Sequence, residues 1–262
     1  MPSQVLKKLL LRLNSSEVER DRYNRFSGIY LSRPSQTPLE GFEEFPNHHK
    51  RPFRCYYNEI VNNLPGKVDI LEIGAGTGQH TRPVVTSTTR VTAFDISENS
   101  LEVLKARFHD EVEIVRGNIE RLPFADSSFD LVISCGALSY GDQDLVDSEV
   151  KRVLRLGGSF IFLDSLNHNP IYKMNRLMRC ALQSRSLSTV LRIPKLKRIK
   201  SLGHSFQTLN IHYFGSYLWL FQIFNLFLGH RKAQNIDDFL ERSLPSGRNA
   251  FKVVVVLNYL KK

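Results

Sequence analysis

The chain has 262 residues, 42% of them hydrophobic and 24% charged, with a formal net charge of +10. This leaves room for one large α/β domain with additions and excludes a disordered or fibrous chain. No apolar run reaches the roughly 18 residues of a bilayer-spanning helix, and three scattered cysteines (Cys55, Cys135, Cys180) give neither a disulfide framework nor metal-ligand spacing, which fits free thiols in a reducing, cytoplasmic setting.

In chain order, Met1 to Asn14 is an apolar stretch broken by Lys7, Lys8 and Arg12. It lacks a small-residue cleavage site, so a short amphipathic helix near 3–13 is expected rather than a signal peptide. A second helix is expected from about Pro52 to Leu64, closed by Pro65-Gly66. From Val68 the pattern changes. Strands are expected at 68–73, 90–96, 112–115, 129–134 and 159–163. Helices are expected after Gly78, from Ser97 (a capping residue) to Phe108, and over about 143–155, the last stopped by Gly157-Gly158. Strands alternating with helices imply a parallel sheet covered on both faces, and Leu131-Val132-Ile133 and Phe160 to Leu163 suit strands buried on both sides. After Asn167 the alternation stops. Residues 170–205 read as helical, loop-like and basic, 217–228 is densely apolar, 236–243 is a helix, and 251–259 is a strand joining the central sheet.

The division that follows is a helical N-terminal cap (1–65), a core (66–166), a basic and apolar insertion (167–235) and a final helix and strand completing the core (236–262). Residues 65–166 carry a net charge of −6, whereas 167–235 carry +11 with no carboxylate at all. Such a segment suits an anionic partner, or a solvated cationic face. No nucleic-acid module is visible and the core is acidic, which argues against nucleic acid.

The densest motif is Glu72-Ile73-Gly74-Ala75-Gly76-Thr77-Gly78, on the turn leaving the first strand. Glycines there let the backbone approach a ligand closely, and a following helix N-terminus offers free N–H groups. Asp95 ends the second strand, where a carboxylate can accept both ribose hydroxyls. A GxGxG spacing preceded by an acid fits a cationic ligand better than a pyrophosphate, which Glu72 would repel. Gly117-Asn118-Ile119-Glu120-Arg121-Leu122-Pro123-Phe124 then leads through Asp126 to Phe129-Asp130-Leu131-Val132.

Together these four motifs make residues 68–165 resemble the class I S-adenosylmethionine-dependent methyltransferases of the broad group that includes quinone-biosynthesis enzymes. The resemblance implies a doubly wound, Rossmann-like seven-stranded sheet whose last strand is antiparallel. It implies S-adenosylmethionine as cofactor, with Gly74, Gly76 and Gly78 bordering the methionine part, Glu72 near its sulfonium and amino group, and Asp95 on the ribose. Ile96 would flank the adenine, Asn118 and Ile119 would lie against it, and Ser134 would sit beside the methionine moiety. Asn118 stands where many relatives have Asp; its carbonyl still accepts a hydrogen bond.

The acceptor is less marked. The stretch after the fourth strand, Ser134 to Tyr140, lacks the Asn/Asp-Pro-Pro-aromatic signature of exocyclic-amine methylation. His168, just past the fifth strand, is the preferred general base, ahead of Asp164, Tyr140 and His80. His48 and His49 have no third ligand at useful spacing, so no metal is expected. Short stretches around 166–172 and 213–216 are similar to methyltransferases of bacterial surface-polysaccharide synthesis, which would imply a hydroxyl of a sugar or glycolipid precursor. A prenylated quinone or lipid is the alternative acceptor, and a non-catalytic protein that kept the fold is the alternative of another class. The apolar run 217–228 suits a packed helix, a dimer contact, or a peripheral contact with an anionic membrane.

Overall fold

The computed structural model describes residues 20, 24, 47–182, 187–247 and 249–259; the helix expected at 3–13 and most of the 1–65 cap lie outside them. A seven-stranded sheet with order β3-β2-β1-β4-β5-β7-β6 forms the centre. Its strands are β1 (Asp69–Ile73), β2 (Arg90–Asp95), β3 (Val112–Arg116), β4 (Phe129–Cys135), β5 (Leu154–Ser165), β6 (Thr208–Phe214) and β7 (Lys252–Asn258). Strands β1 to β5 pair parallel, and β7 runs antiparallel between β5 and β6. The seven-stranded sheet and its antiparallel last strand are those expected from the sequence.

Alternate residues of each strand feed two separate cores. On one face Leu71, Ile73, Val132, Phe160, Phe162, Val253 and Val255 pack with α3 (Gln143–Val153) and α6 (Leu196–Gly203). On the other, Ile70, Leu131, Ile133, Ile161, Leu163, Val254 and Val256 pack with α1 (Asn47–Asn63) and α2 (Glu98–Phe108). Each such aliphatic side chain removed from water contributes about 1.5–3 kcal/mol, so a sheet covered twice is the arrangement these strands demand. Ser97 caps α2, its hydroxyl accepting from Ser100 N–H at 3.2 Å, and the Asp142 carboxylate caps α3.

Three local features differ from expectation. No α-helix follows Gly78: turns lead to a short 3-10 helix at Arg82–Val84, because Pro83 and the β-branched run Val84-Val85-Thr86 resist further helix. Helix α3 ends at Val153 and enters β5 directly, so Gly157-Gly158 lie within the strand. There Gly157 takes φ +80° where the β4–β5 register shifts. The apolar residues of α3 are used up at Val153, so no glycine is needed to stop it. Finally, β6 lies inside 167–235, where no strand was expected. Leu209, Ile211 and Tyr213 join one core while His212 and Phe214 face the other side.

Helices α4 (Pro170–Leu182), α5 (Leu187–Arg192) and α6 precede β6, and α7 (Leu218–Leu228) and α8 (His230–Ser243) separate it from β7. The basic segment is therefore built onto the edge of the sheet beyond β7, not free of it. Among the described residues no helix is long and apolar enough to cross a membrane.

Candidate active site

The strand order reverses between β1 and β4, and in open α/β sheets ligands bind outside the carboxyl ends of strands at such a switch point. The glycine turn leaves β1 there. Gly74, Gly76 and Gly78 all take left-handed φ, at +71°, +54° and +77°. A Cβ on Gly74 would stand 2.1 Å from that of Ala137, in the loop after β4, so the two loops cross in contact; at Gly76 the same position opens on empty space. A bare backbone facing free volume is what a closely bound ligand requires.

Two carboxylates bracket this turn. Asp95 Oδ2 accepts the Gly76 N–H and Oδ1 the Ser97 N–H, both at 2.8 Å. Burial raises its pKa, and the N–H groups of Ser97, Gly76 and Ile96 hold that rise back. Glu72 is buried under the turn, and the Thr81 hydroxyl donates to its Oε2 at 2.5 Å. Burial pushes its pKa up to about 8; the Thr81 bond lowers it and nearby Asp95 raises it. A carboxyl this poised suits a cationic ligand, which would favour its ionised form.

The other expected residues lie around the same rim with unequal roles. Ile96, beside Asp95, is half-buried. Asn118 Oδ1 accepts the Glu120 N–H at 3.0 Å in a local turn, so that carbonyl is already engaged. Ile119 is buried in the core with Leu71 and Phe94. Ser134 is fully buried, and its hydroxyl has no hydrogen-bond partner among the described residues, an orphan at the end of β4. His168 is half-buried on the loop between β5 and α4. Its neighbours are pinned: Asn167 Nδ2 donates to Val190 O and Asn169 Oδ1 accepts the Ile171 N–H.

The 117–130 motif divides into two jobs. Arg152 of α3 donates to Phe124 O and Leu122 O, and Glu149 accepts the Leu122 N–H, so α3 holds the loop after β3 in place. Asp130 lies at the opposite edge of the sheet. It accepts the Val68 and Asp69 N–H groups and pairs with Arg155, a structural duty away from the cofactor turn.

A buried polar group at the same edge joins two of the candidate bases, His80 and Asp164, to Tyr57 and Lys252, which were not among the residues expected. Tyr57 OH lies 2.7 Å from His80 Nδ1, and Phe53 stacks on that imidazole at 5.4 Å. Burial lowers the His80 pKa to about 4, and the Lys252 ammonium adds to the effect, so the ring is neutral near pH 7. Lys252 lies over the Phe53 ring at 4.3 Å and is itself depressed by burial, while Cys135 and Asp164 hold it up. Asp164 Oδ1 accepts the Ser165 N–H, and its Oδ2 has no partner among the described residues; burial raises its pKa to about 6. These residues come from α1, the turn after Gly78, β5 and β7. No local motif unites them, which is why sequence spacing could not group them. Cys55 and Cys135 are free thiols.

Comparison with known proteins agrees with this geometry. Residues 71–162 match the methyltransferase domain family. A probable S-adenosylmethionine-dependent methyltransferase of Mycolicibacterium smegmatis is 32% identical over 49% of this chain and 51% of its own. The ubiquinone/menaquinone biosynthesis C-methyltransferase of Hahella chejuensis is 38% identical over 39% of this chain and 45% of its own. Geranyl diphosphate C-methyltransferase of Streptomyces coelicolor, solved with Mg2+, geranyl diphosphate and S-adenosyl-L-homocysteine, shares the fold at TM-score 0.56 and 14% identity. That match covers 80% of each chain. The chain thus spans about half the length of these two curated relatives. Residues 71–162 are thus similar to a methyltransferase domain, set in a sheet that shares the fold of S-adenosylmethionine-dependent methyltransferases.

Proposed function

We propose that the protein transfers a methyl group from S-adenosylmethionine to a small acceptor. The observation that carries this reading is the trio of left-handed glycines held between Glu72 and Asp95, with the Gly76 N–H bonded to Asp95. Gly74, Gly76, Gly78 and Glu72 would hold the methionine end, with Ser134 beside it. Asp95 would hold the ribose, and Ile96, Asn118 and Ile119 the adenine. The cofactor supplies an electrophilic methyl group on a sulfonium. The chain's task is to align an acceptor atom opposite that sulfur, exclude water and take up the proton the acceptor loses. Calorimetry with S-adenosylmethionine and S-adenosylhomocysteine, followed by labelled-methyl transfer to fractionated extract, tests the reading. Absence of heat at millimolar ligand overturns it.

For the acceptor we favour an anionic molecule, with a hydroxyl of a sugar or glycolipid precursor as the methylated group. Support comes from the carboxylate-free segment 167–235 and from a 740 Å³ cavity between α3, α5 and α6. That cavity is lined by five cations, Lys151, Arg192, Lys195, Lys197 and Arg198, against three carboxylates, Asp142, Asp144 and Asp147, the last paired with Arg198. Glu120, two residues past Asn118, lies 4.0 Å from Arg192 and links this cavity to the cofactor loops. A prenylated quinone or lipid is the second reading, favoured by the names of the relatives above. His168 is the proposed base for a hydroxyl, and the Tyr57–His80 pair is the alternative, favoured by its 2.7 Å contact close behind Gly78. Turnover lost in His168→Ala and kept in His80→Ala supports the first assignment; the reverse result replaces it.

Peripheral contact with an anionic membrane belongs to the same reading. Leu226 and Phe227 at the end of α7 are 79% and 76% exposed, next to Arg231 and Lys232 at the start of α8. Flotation with anionic vesicles at low salt tests it, and Leu226→Ser/Phe227→Ser should abolish it.

A further inference from the structure

Cys55 and Glu59 are one helical turn apart on α1, so their side chains share a face. That helix packs against β6, the edge strand, and His212 of β6 meets it with Nε2 3.1 Å from Glu59 Oε1. The Cys55 sulfur, a Glu59 carboxylate oxygen and a His212 ring nitrogen all lie within 4.8 Å of one another, each residue partly buried. Cofactor turn and basic cavity use none of the three. An ion pair between His212 and Glu59 would explain two of these side chains but leaves the thiol beside them without a purpose.

We propose that Cys55, Glu59 and His212 bind a Zn2+ ion that fastens α1 to the edge strand. One thiolate, one imidazole and one carboxylate form a mixed donor set that Zn2+ accepts. Mg2+ and Ca2+ avoid such a set because they take oxygen ligands. Donors placed 2.0–2.3 Å from a tetrahedral ion stand roughly 3.3–3.7 Å apart, so side-chain rotation of little more than an ångström closes the site. Two ligands come from a helix and one from a strand, both anchored in the core, and a solvent molecule fills the fourth position. Binding displaces the thiol proton of Cys55 to solvent, with no other covalent change.

The ion has a consequence for the active site. Helix α1 also carries Phe53 and Tyr57, which cover His80 behind the glycine turn. Locking α1 to β6 therefore locks that cover, so metal occupancy and order at the cofactor turn are coupled.

The test uses the full chain stripped with a chelator. Equilibrium dialysis against Zn2+ should give one tightly held ion per chain, and Co2+ should give a thiolate charge-transfer band. Cys55→Ser should lose the band, and His212→Ala should weaken Zn2+ binding by more than the ~10–100-fold typical of outer-shell changes. Zn2+ should raise the melting temperature of the unaltered protein and not that of either variant. Less than one ion per chain at micromolar free Zn2+ overturns the proposal. So does unchanged Zn2+ affinity in both Cys55→Ser and His212→Ala, which would move the ion to another site.

Discussion

The Thr81 hydroxyl donates to Glu72 Oε2 at 2.5 Å, beneath the glycine turn and sealed from solvent. It lowers a carboxyl pKa that burial otherwise drives up. Thr81→Val removes the bond and keeps the shape, so Glu72 becomes still harder to ionise. Affinity for S-adenosylmethionine at pH 7.5 should fall by roughly 1–2 kcal/mol, about five- to thirty-fold in Kd, and Thr81→Ser should restore it. Calorimetry of the three proteins checks this; equal affinities would detach Glu72 from the cofactor.

The same carboxyl sets a pH dependence of stability. Glu72 titrates at about 8 in the folded chain against an ordinary 4.5, so between those values the folded state holds a proton the unfolded state has lost. Stability must fall as pH rises through that window. Asp164, at about 6 against 3.8, acts in the same direction lower down, whereas His80, at about 4 against 6.5, acts oppositely. Above about pH 6.5 only Glu72 of these three still titrates. The melting temperature of the cofactor-free protein should decline from pH 6.5 to 8, and Glu72→Gln should flatten the decline. A slope kept by that variant would assign it to another group.

Gly74→Ala should be the most damaging single change on the turn. It forces φ +71° on a residue with a Cβ, at about 1–2 kcal/mol, and drives that Cβ to 2.1 Å from Ala137. Pairing it with Ala137→Gly should relieve the collision but not the backbone cost. Thermal melts and cofactor titration of the single and double variants would separate the two contributions.

Arg152 offers a test far from any ligand. It holds Phe124 O, Leu122 O, Glu149 and Asp126 at once. Arg152→Ala should destabilise the protein by about 1–3 kcal/mol and loosen the loop carrying Asn118. Hydrogen exchange should rise first at residues 117–124; uniform exchange across the sheet would contradict the local role.

Much of the core was legible because β1, β2, β4 and β5 are short apolar runs ending at glycine or aspartate, and Ser97 marks its helix plainly. The cofactor turn was legible for the same reason, since Glu72, Gly74, Gly76, Gly78 and Asp95 sit at fixed places on consecutive elements. Edge strand β6 was not. Its apolar residues Leu209, Ile211 and Tyr213 alternate with polar ones until Phe214 breaks the period, and the strand follows a long basic helical stretch that masks it. The turns after Gly78 were read as helix because the fold class leads one to expect it; Pro83 with its β-branched neighbours was the overlooked signal. His80 and Asp164 were legible singly as candidate bases, but their grouping with Tyr57 and Lys252 was not, because only the packing of α1 over the sheet brings the four together.

One small contact ties upstream sequence to the surroundings of the glycine turn. Asn24 accepts the Ser97 hydroxyl on its Oδ1 at 2.6 Å and takes the Asn99 side-chain amide on its backbone oxygen at 3.2 Å. Ser97 also caps α2 and donates its own N–H to Asp95. A residue from far upstream thus completes the polar chain that ends at the Asp95 carboxylate. The first turn of α2 and the Asp95 carboxylate are thereby anchored to a residue 73 positions earlier in the chain than Ser97.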